Sequence, residues 1–161
     1  MNEKINKLKK SANNSACGFF IIAVFLGFLV VTTVATIVWK MLRGSFDMIE
    51  IPKYLGTTIA FLFTAISSLI MAKGLSEVSK KGKPFDAKNV RTFKLSGKFM
   101  MFAGMAGSLI CVISSRFLPE TEAVDFEGVG FGLIICGLII QIFVDFLYYA
   151  VGVQDELDTI A

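Results

Sequence analysis

The chain contains no histidine, and only three of its 161 residues are proline and three cysteine. Without histidine the commonest metal ligand and the usual general base are missing, and no Ser–His–Asp triad can be assembled. Cys17, Cys111 and Cys136 lie far apart in apolar stretches, so no zinc spacing exists. They read as small packing residues, and a Cys111–Cys136 bridge is not expected. Charge is also scarce, at 18% of residues against 55% hydrophobic. That is too little polarity to cover a globular surface. The net charge of +3 is mild, and no basic face of a soluble fold is visible, which argues against direct nucleic-acid binding. No P-loop and no paired carboxylates on one helix face occur. Neither a cofactor nor a metal is expected, and the chain does not read as an enzyme.

What is present is long apolar sequence, with a mean hydropathy of +0.70. Residues 16–39 form 24 positions without a charge, about 36 Å as a helix, where a bilayer core needs about 20 residues. Lys4, Lys7, Lys9 and Lys10 precede this run, but it is too long for a signal-peptide core and no Ala-x-Ala site follows. Trp39 at its far end suits a membrane interface. A second run covers 54–72, with Pro52 just before it and Lys73 after it. A third covers 99–115, only 17 residues, flanked by Lys98 and Arg116, which can snorkel. The fourth begins at Gly128 and continues to about Val151, interrupted once by Asp145. The fold class expected is all-α: an integral membrane four-helix bundle of two antiparallel transmembrane hairpins, in one domain over 1–161. Its helices are placed at about 16–39, 54–73, 96–116 and 128–151. Residues 74–95 read as a basic cytoplasmic loop.

Orientation follows from cation counts. The N-terminus and the middle loop together carry twelve Lys and Arg, and the opposite side carries four, Lys40, Arg43, Lys53 and Arg116. The positive-inside rule then puts both termini in the cytoplasm. The eight of the basic middle loop also suit anionic lipid, although serving as topology determinants already explains their number.

Within the middle loop, Gly82 and Pro84 break a helix leaving the membrane. Asp86 reads as the N-cap of a helix starting near Ala87, with Phe85 and Val90 placed as a hydrophobic staple. In the fourth run, Gly137, Gln141, Asp145, Tyr148 and Gly152 recur at helical spacing and make a small-and-polar stripe expected to face the bundle interior. An intramembrane acid often marks an ion path. The alternative, favoured here, is an interfacial carboxylate paired with Lys73 or Lys98. Small residues promise close helix contacts: Gly97, Gly104, Gly107 and Cys111, with Ala103, on the third helix, and Gly128 and Gly132 on the fourth. The same pattern suits a homo-oligomer. Ser67, Ser68 and the threonines of the first two runs read as packing or backbone-bonded hydroxyls.

The segment Gly82-Lys83-Pro84-Phe85-Asp86-Ala87-Lys88-Asn89-Val90 resembles the "G-x-P-F-x-x-x-N" signature of a bacterial four-helix membrane family, domain of unknown function family 2975. The tail from Gln154 to Ile160 resembles that family's closing "Q-E-E-x-D-L-T-I", although Asp158 is followed directly by Thr159. The resemblance covers nearly the whole chain. It implies four spans in the bacterial plasma membrane, no established activity, and by association a helix-turn-helix regulator as partner. Pro84, Phe85, Asp86 and Asn89 are its motif positions here. The function expected is non-enzymatic and works through protein contacts, as a regulator, sensor or immunity factor. The alternative is a small transporter or channel subunit using Asp145 and Gln141.

Overall fold

A computed structural model describes residues 2–45, 51–81, 86–117 and 126–160. The described residues form four α-helices: α1 (Asn2–Leu42), α2 (Ile51–Lys81), α3 (Ala87–Phe117) and α4 (Phe126–Ile160). Three are long and apolar enough to cross a membrane, over Ile5–Leu42, Tyr54–Lys81 and Gly130–Tyr149. The chain therefore has the character of a membrane protein. α3, the helix with the shortest charge-free run, is not among the three.

The helices outrun the apolar runs. α1 holds 41 residues and α2 holds 31, about 62 and 47 Å, against a hydrocarbon core of about 30 Å. Most of the expected loop over 74–95 is consequently helical: α2 continues to Lys81 and α3 begins at Ala87. Lysine ends an apolar run without ending a helix, because Lys, Glu and Leu are good helix formers. The stop comes only near Gly82 and Pro84, which lie outside the described residues. α1 stops in a Schellman turn, with Gly44 at φ 65° and the amides of Gly44 and Ser45 bonded to the carbonyls of Met41 and Lys40. At that end Arg43 lies 4.4 Å over the Trp39 ring, and Lys40 lies 5.3 Å over the Tyr54 ring. Aromatic and cationic side chains thus gather where an interface belt is expected.

Extensive packing joins only helices adjacent in sequence: α1 with α2, α2 with α3, and α3 with α4. Among the described residues no other pair makes more than a marginal contact, so the four helices pack as a row in chain order. Neighbours are antiparallel. The cleft lined by Asn13 and Phe20 of α1 is lined by Ser76 and Leu69 of α2, while Lys40 meets Tyr54. Small side chains set the α1–α2 seam: Ala12, Ala16 and Ala23 are buried on one face of α1, and Ala60, Ala65 and Ala72 on α2. Across α2–α3 the Phe63 and Phe99 rings meet at 5.9 Å, and Phe93 lies against Gly74. At the centre of that seam the Ser67 hydroxyl donates to the Ser96 carbonyl at 2.9 Å, and the Ser96 hydroxyl donates to the Ser67 carbonyl at 3.0 Å. Both serines are buried, so this mutual satisfaction removes what would otherwise be two stranded hydroxyls. Thr33, Thr36, Thr58 and Thr64 instead return their hydroxyls to carbonyls four residues back, as expected for helix threonines.

The α3–α4 seam is the tightest. A Cβ on Gly97 would meet Gln141 Nε2 and Ile140 Cγ2 at 2.9 Å and the Gly137 carbonyl at 3.2 Å. One on Gly104 would collide with the Gly130 carbonyl and approach the Ile134 amide to 2.9 Å. The contact glycines of α4 are therefore Gly130 and Gly137. Gly132 has nothing within 4 Å, which corrects the expectation that it packs, and the surroundings of Gly128 lie outside the described residues. The outer faces of α1 and α4 expose large apolar side chains, among them Phe25, Phe28 and Val31, and Phe131, Phe143 and Phe146. A soluble monomer does not leave so broad an apolar area in water.

Candidate functional site

The candidate site is the polar cluster where α3 and α4 run together near the tail. Its level follows from the seam. Position 97 stands opposite roughly 139, and 104 opposite roughly 132, so an antiparallel partner places Asp145 level with about position 91. Asp145 therefore lies outside the depth of α3's charge-free run, 99–115, among that helix's cations.

Its partner is Lys94, whose ammonium donates to Oδ1 at 2.8 Å. This corrects the expected pairing with Lys73 or Lys98. Lys98 stands one turn deeper, about 10 Å along the axis from Asp145, beyond the reach of its side chain. Lys73 shares the level of Asp145 but lines the cleft between α1 and α2, with α3 between it and α4. One turn deeper on α4, Gln141 Nε2 donates to the Lys94 carbonyl at 2.7 Å. Gly97 leaves room for that amide to reach the α3 backbone. Gln141 and Asp145 thus hold the same residue, one by its backbone and one by its side chain. Of the expected stripe, Gly137 faces α3 and Gln141 is half-buried, but Tyr148 is 67% exposed. The Asp145 and Lys94 side chains are 65% and 47% exposed, so the pair lies on the outside of the row and not along a path through it. A pair so exposed contributes little to stability in water, and desolvation does not lock it.

The second cluster surrounds the start of α3. Asp86 caps the helix as expected: its Oδ1 accepts the Lys88 amide at 3.1 Å, and its carbonyl accepts the Val90 amide at 3.0 Å. The Lys88 backbone amide, first, and the Lys81 ammonium at 3.0 Å hold the Asp86 carboxyl below the usual aspartate value. Lys81 thereby ties the end of α2 to the beginning of α3. Asn89 and Val90 are fully buried, as a hairpin seam requires. Pro84 and Phe85 lie outside the described residues, and with them the staple. Sequence reasoning missed Glu77, which pairs with Lys88 at 3.4 Å across the same hairpin. Its signal was present in one of only two acids, with Asp86, among the eight cations of 73–98.

Cys17 and Cys136 are free, so no bridge joins Cys136 to Cys111. Among the described residues no group of three Cys, Asp or Glu side chains converges to hold a metal. No family model, curated protein or solved structure matches this chain.

Proposed function

We propose that the chain is a four-span integral membrane protein of the bacterial plasma membrane, with both termini in the cytoplasm, that catalyses no reaction and works through contacts with other proteins. The observation that carries this reading is the placement of charge. The ion pairs Glu3–Lys7, Lys81–Asp86, Glu77–Lys88 and Lys94–Asp145 all lie at one end of the row. That end combines the start of α1, the end of α2, the start of α3 and the end of α4. It carries the cation excess that marks a cytoplasmic face. Helices prolonged beyond the apolar band give it a rigid polar surface, suited to a partner such as a regulator or a second copy of the chain.

α3 belongs to the membrane in this reading despite its short run. It lies between α2 and α4 and packs along both, so it shares their slab. Its own backbone hydrogen bonds satisfy the condition for crossing lipid. Membership of the four-helix family that the loop and tail resemble, with a helix-turn-helix regulator as partner, is part of the same proposal.

The transporter alternative has lost its main support. Asp145 lies level with cytoplasmic cations and is paired, and the polar group deeper in the row, Ser67 with Ser96, is satisfied internally. The test is flux. Protein reconstituted in liposomes should carry no proton or cation flux above protein-free vesicles. A flux that vanishes in Asp145→Asn would overturn the proposal in favour of a transporter.

A further inference from the structure

The cleft between α1 and α2 at the cation-rich end is a chemically graded groove of about 550 Å³, within the roughly 300–1,000 Å³ usual for ligand sites. Its outer end carries Asn13, Lys73 and Ser76, three hydrogen-bond donors. Its inner end carries Phe20, Ile21 and Leu69, all substantially exposed. The two ends are seven to eight residues apart on each helix, about 11 Å, so the groove runs along the helix axes from the interface toward the apolar band. Ala16 and Ala72 floor it, because small side chains there let the two backbones approach.

Lys73 differs from several of its neighbours. Lys7, Lys81, Lys88 and Lys94 each meet a carboxylate. Lys73 makes no ion pair among the described residues and stands at the polar mouth of an apolar slot. A positive mouth over an apolar slot, opening at the level where headgroups lie, is complementary to one chemistry. We propose that this groove binds a single anionic phospholipid. The headgroup phosphate sits on Lys73, Asn13 and Ser76, and one acyl chain lies along Phe20, Ile21 and Leu69. The depth assigned to the groove's mouth rests on the membrane orientation given above.

The test uses the full chain purified in a neutral detergent, where binding is read without reference to sidedness. A reversed topology would therefore overturn the orientation and leave this measurement unaffected. Thermal unfolding is followed with phosphatidylglycerol, with phosphatidylcholine of the same chains, and with glycerol phosphate lacking chains. Phosphatidylglycerol should stabilise the protein at lower concentration than phosphatidylcholine, and glycerol phosphate should do nothing. Lys73→Gln should weaken phosphatidylglycerol about fivefold, the factor one cation contributes at an anionic surface. Lys80→Gln, on the same helix outside the groove, should change it little. A readout that needs no groove variant is alkylation of Cys17, which is exposed in the groove wall, in a protein carrying Cys111→Ser and Cys136→Ser. Phosphatidylglycerol should slow it more than phosphatidylcholine does. Equal effects of the two lipids, equal losses in Lys73→Gln and Lys80→Gln, or unchanged Cys17 alkylation would each overturn the proposal. Stabilisation by glycerol phosphate alone would show an anion site without a lipid.

Discussion

Gly104→Ala adds one methyl at a close approach between α3 and α4, and the geometry assigns it a sign. In an open helix face, alanine is better than glycine by about 0.5–1 kcal/mol, because glycine loses more freedom on folding. At Gly104 the new Cβ would run into the Gly130 carbonyl and stand 2.7 Å from Ile134 Cγ1 and 2.9 Å from the Ile134 amide. Two of those three atoms are backbone and cannot rotate away, so the helices must separate locally. Overpacking of that kind costs about 1–3 kcal/mol, which offsets the propensity gain and leaves Gly104→Ala less stable than an alanine at an open position by that amount. Gly132→Ala, about one and a half turns along α4 from the Gly137 contact and open to 4 Å, should instead gain the propensity term. Unfolding of the detergent-solubilised variants, by heat or by titration with SDS, reads the difference. Equal stability of Gly104→Ala and Gly132→Ala would refute the close seam, and a loss confined to Gly132→Ala would show that α4 presents the opposite face.

The exposed Lys94–Asp145 pair should show a coupling of only about 0.2–1 kcal/mol in a double-mutant cycle with Lys94→Gln and Asp145→Asn; a larger value would mean the pair is desolvated. Asp86→Ala should lower the melting temperature while Asp86→Ser restores most of it, since serine also caps; equal harm from both, with folding intact, would assign Asp86 a direct role. The same carboxyl has a pH signature. Because its folded value is depressed below 3.8, it stabilises the fold above the unfolded value and ceases to do so as pH falls through the folded one. The stability difference between wild type and Asp86→Asn should thus be present near neutrality and shrink below about pH 4; a difference that grows on acidification would reverse the sign.

Helices, their order and the cap of α3 were legible in the sequence, because each has a local cause. Charge-free runs mark the buried depth, and Asp86 followed by helix formers marks a start. Helix ends were less legible, since Lys73 closes the apolar run of α2 while the helix continues to Lys81. What failed concerned contacts between elements. Gly132 satisfies the small-residue pattern as well as Gly130 and Gly137 do, and only the rotation of α4 against α3 chooses between them. Topology placed Lys73 and Lys98 near the level of Asp145, but the register of one seam brings the Lys94 ammonium to it instead.

The central claim is that the row of helices crosses a bacterial membrane an even number of times, with the cation-rich end inside. A paired reporter fused after Ala161, fluorescent only in the cytoplasm or enzymatically active only outside it, reads this directly. The account predicts fluorescence without external activity. External activity at that position would contradict it, by moving the acidic end of α4 to the opposite side from the cations of α2 and α3.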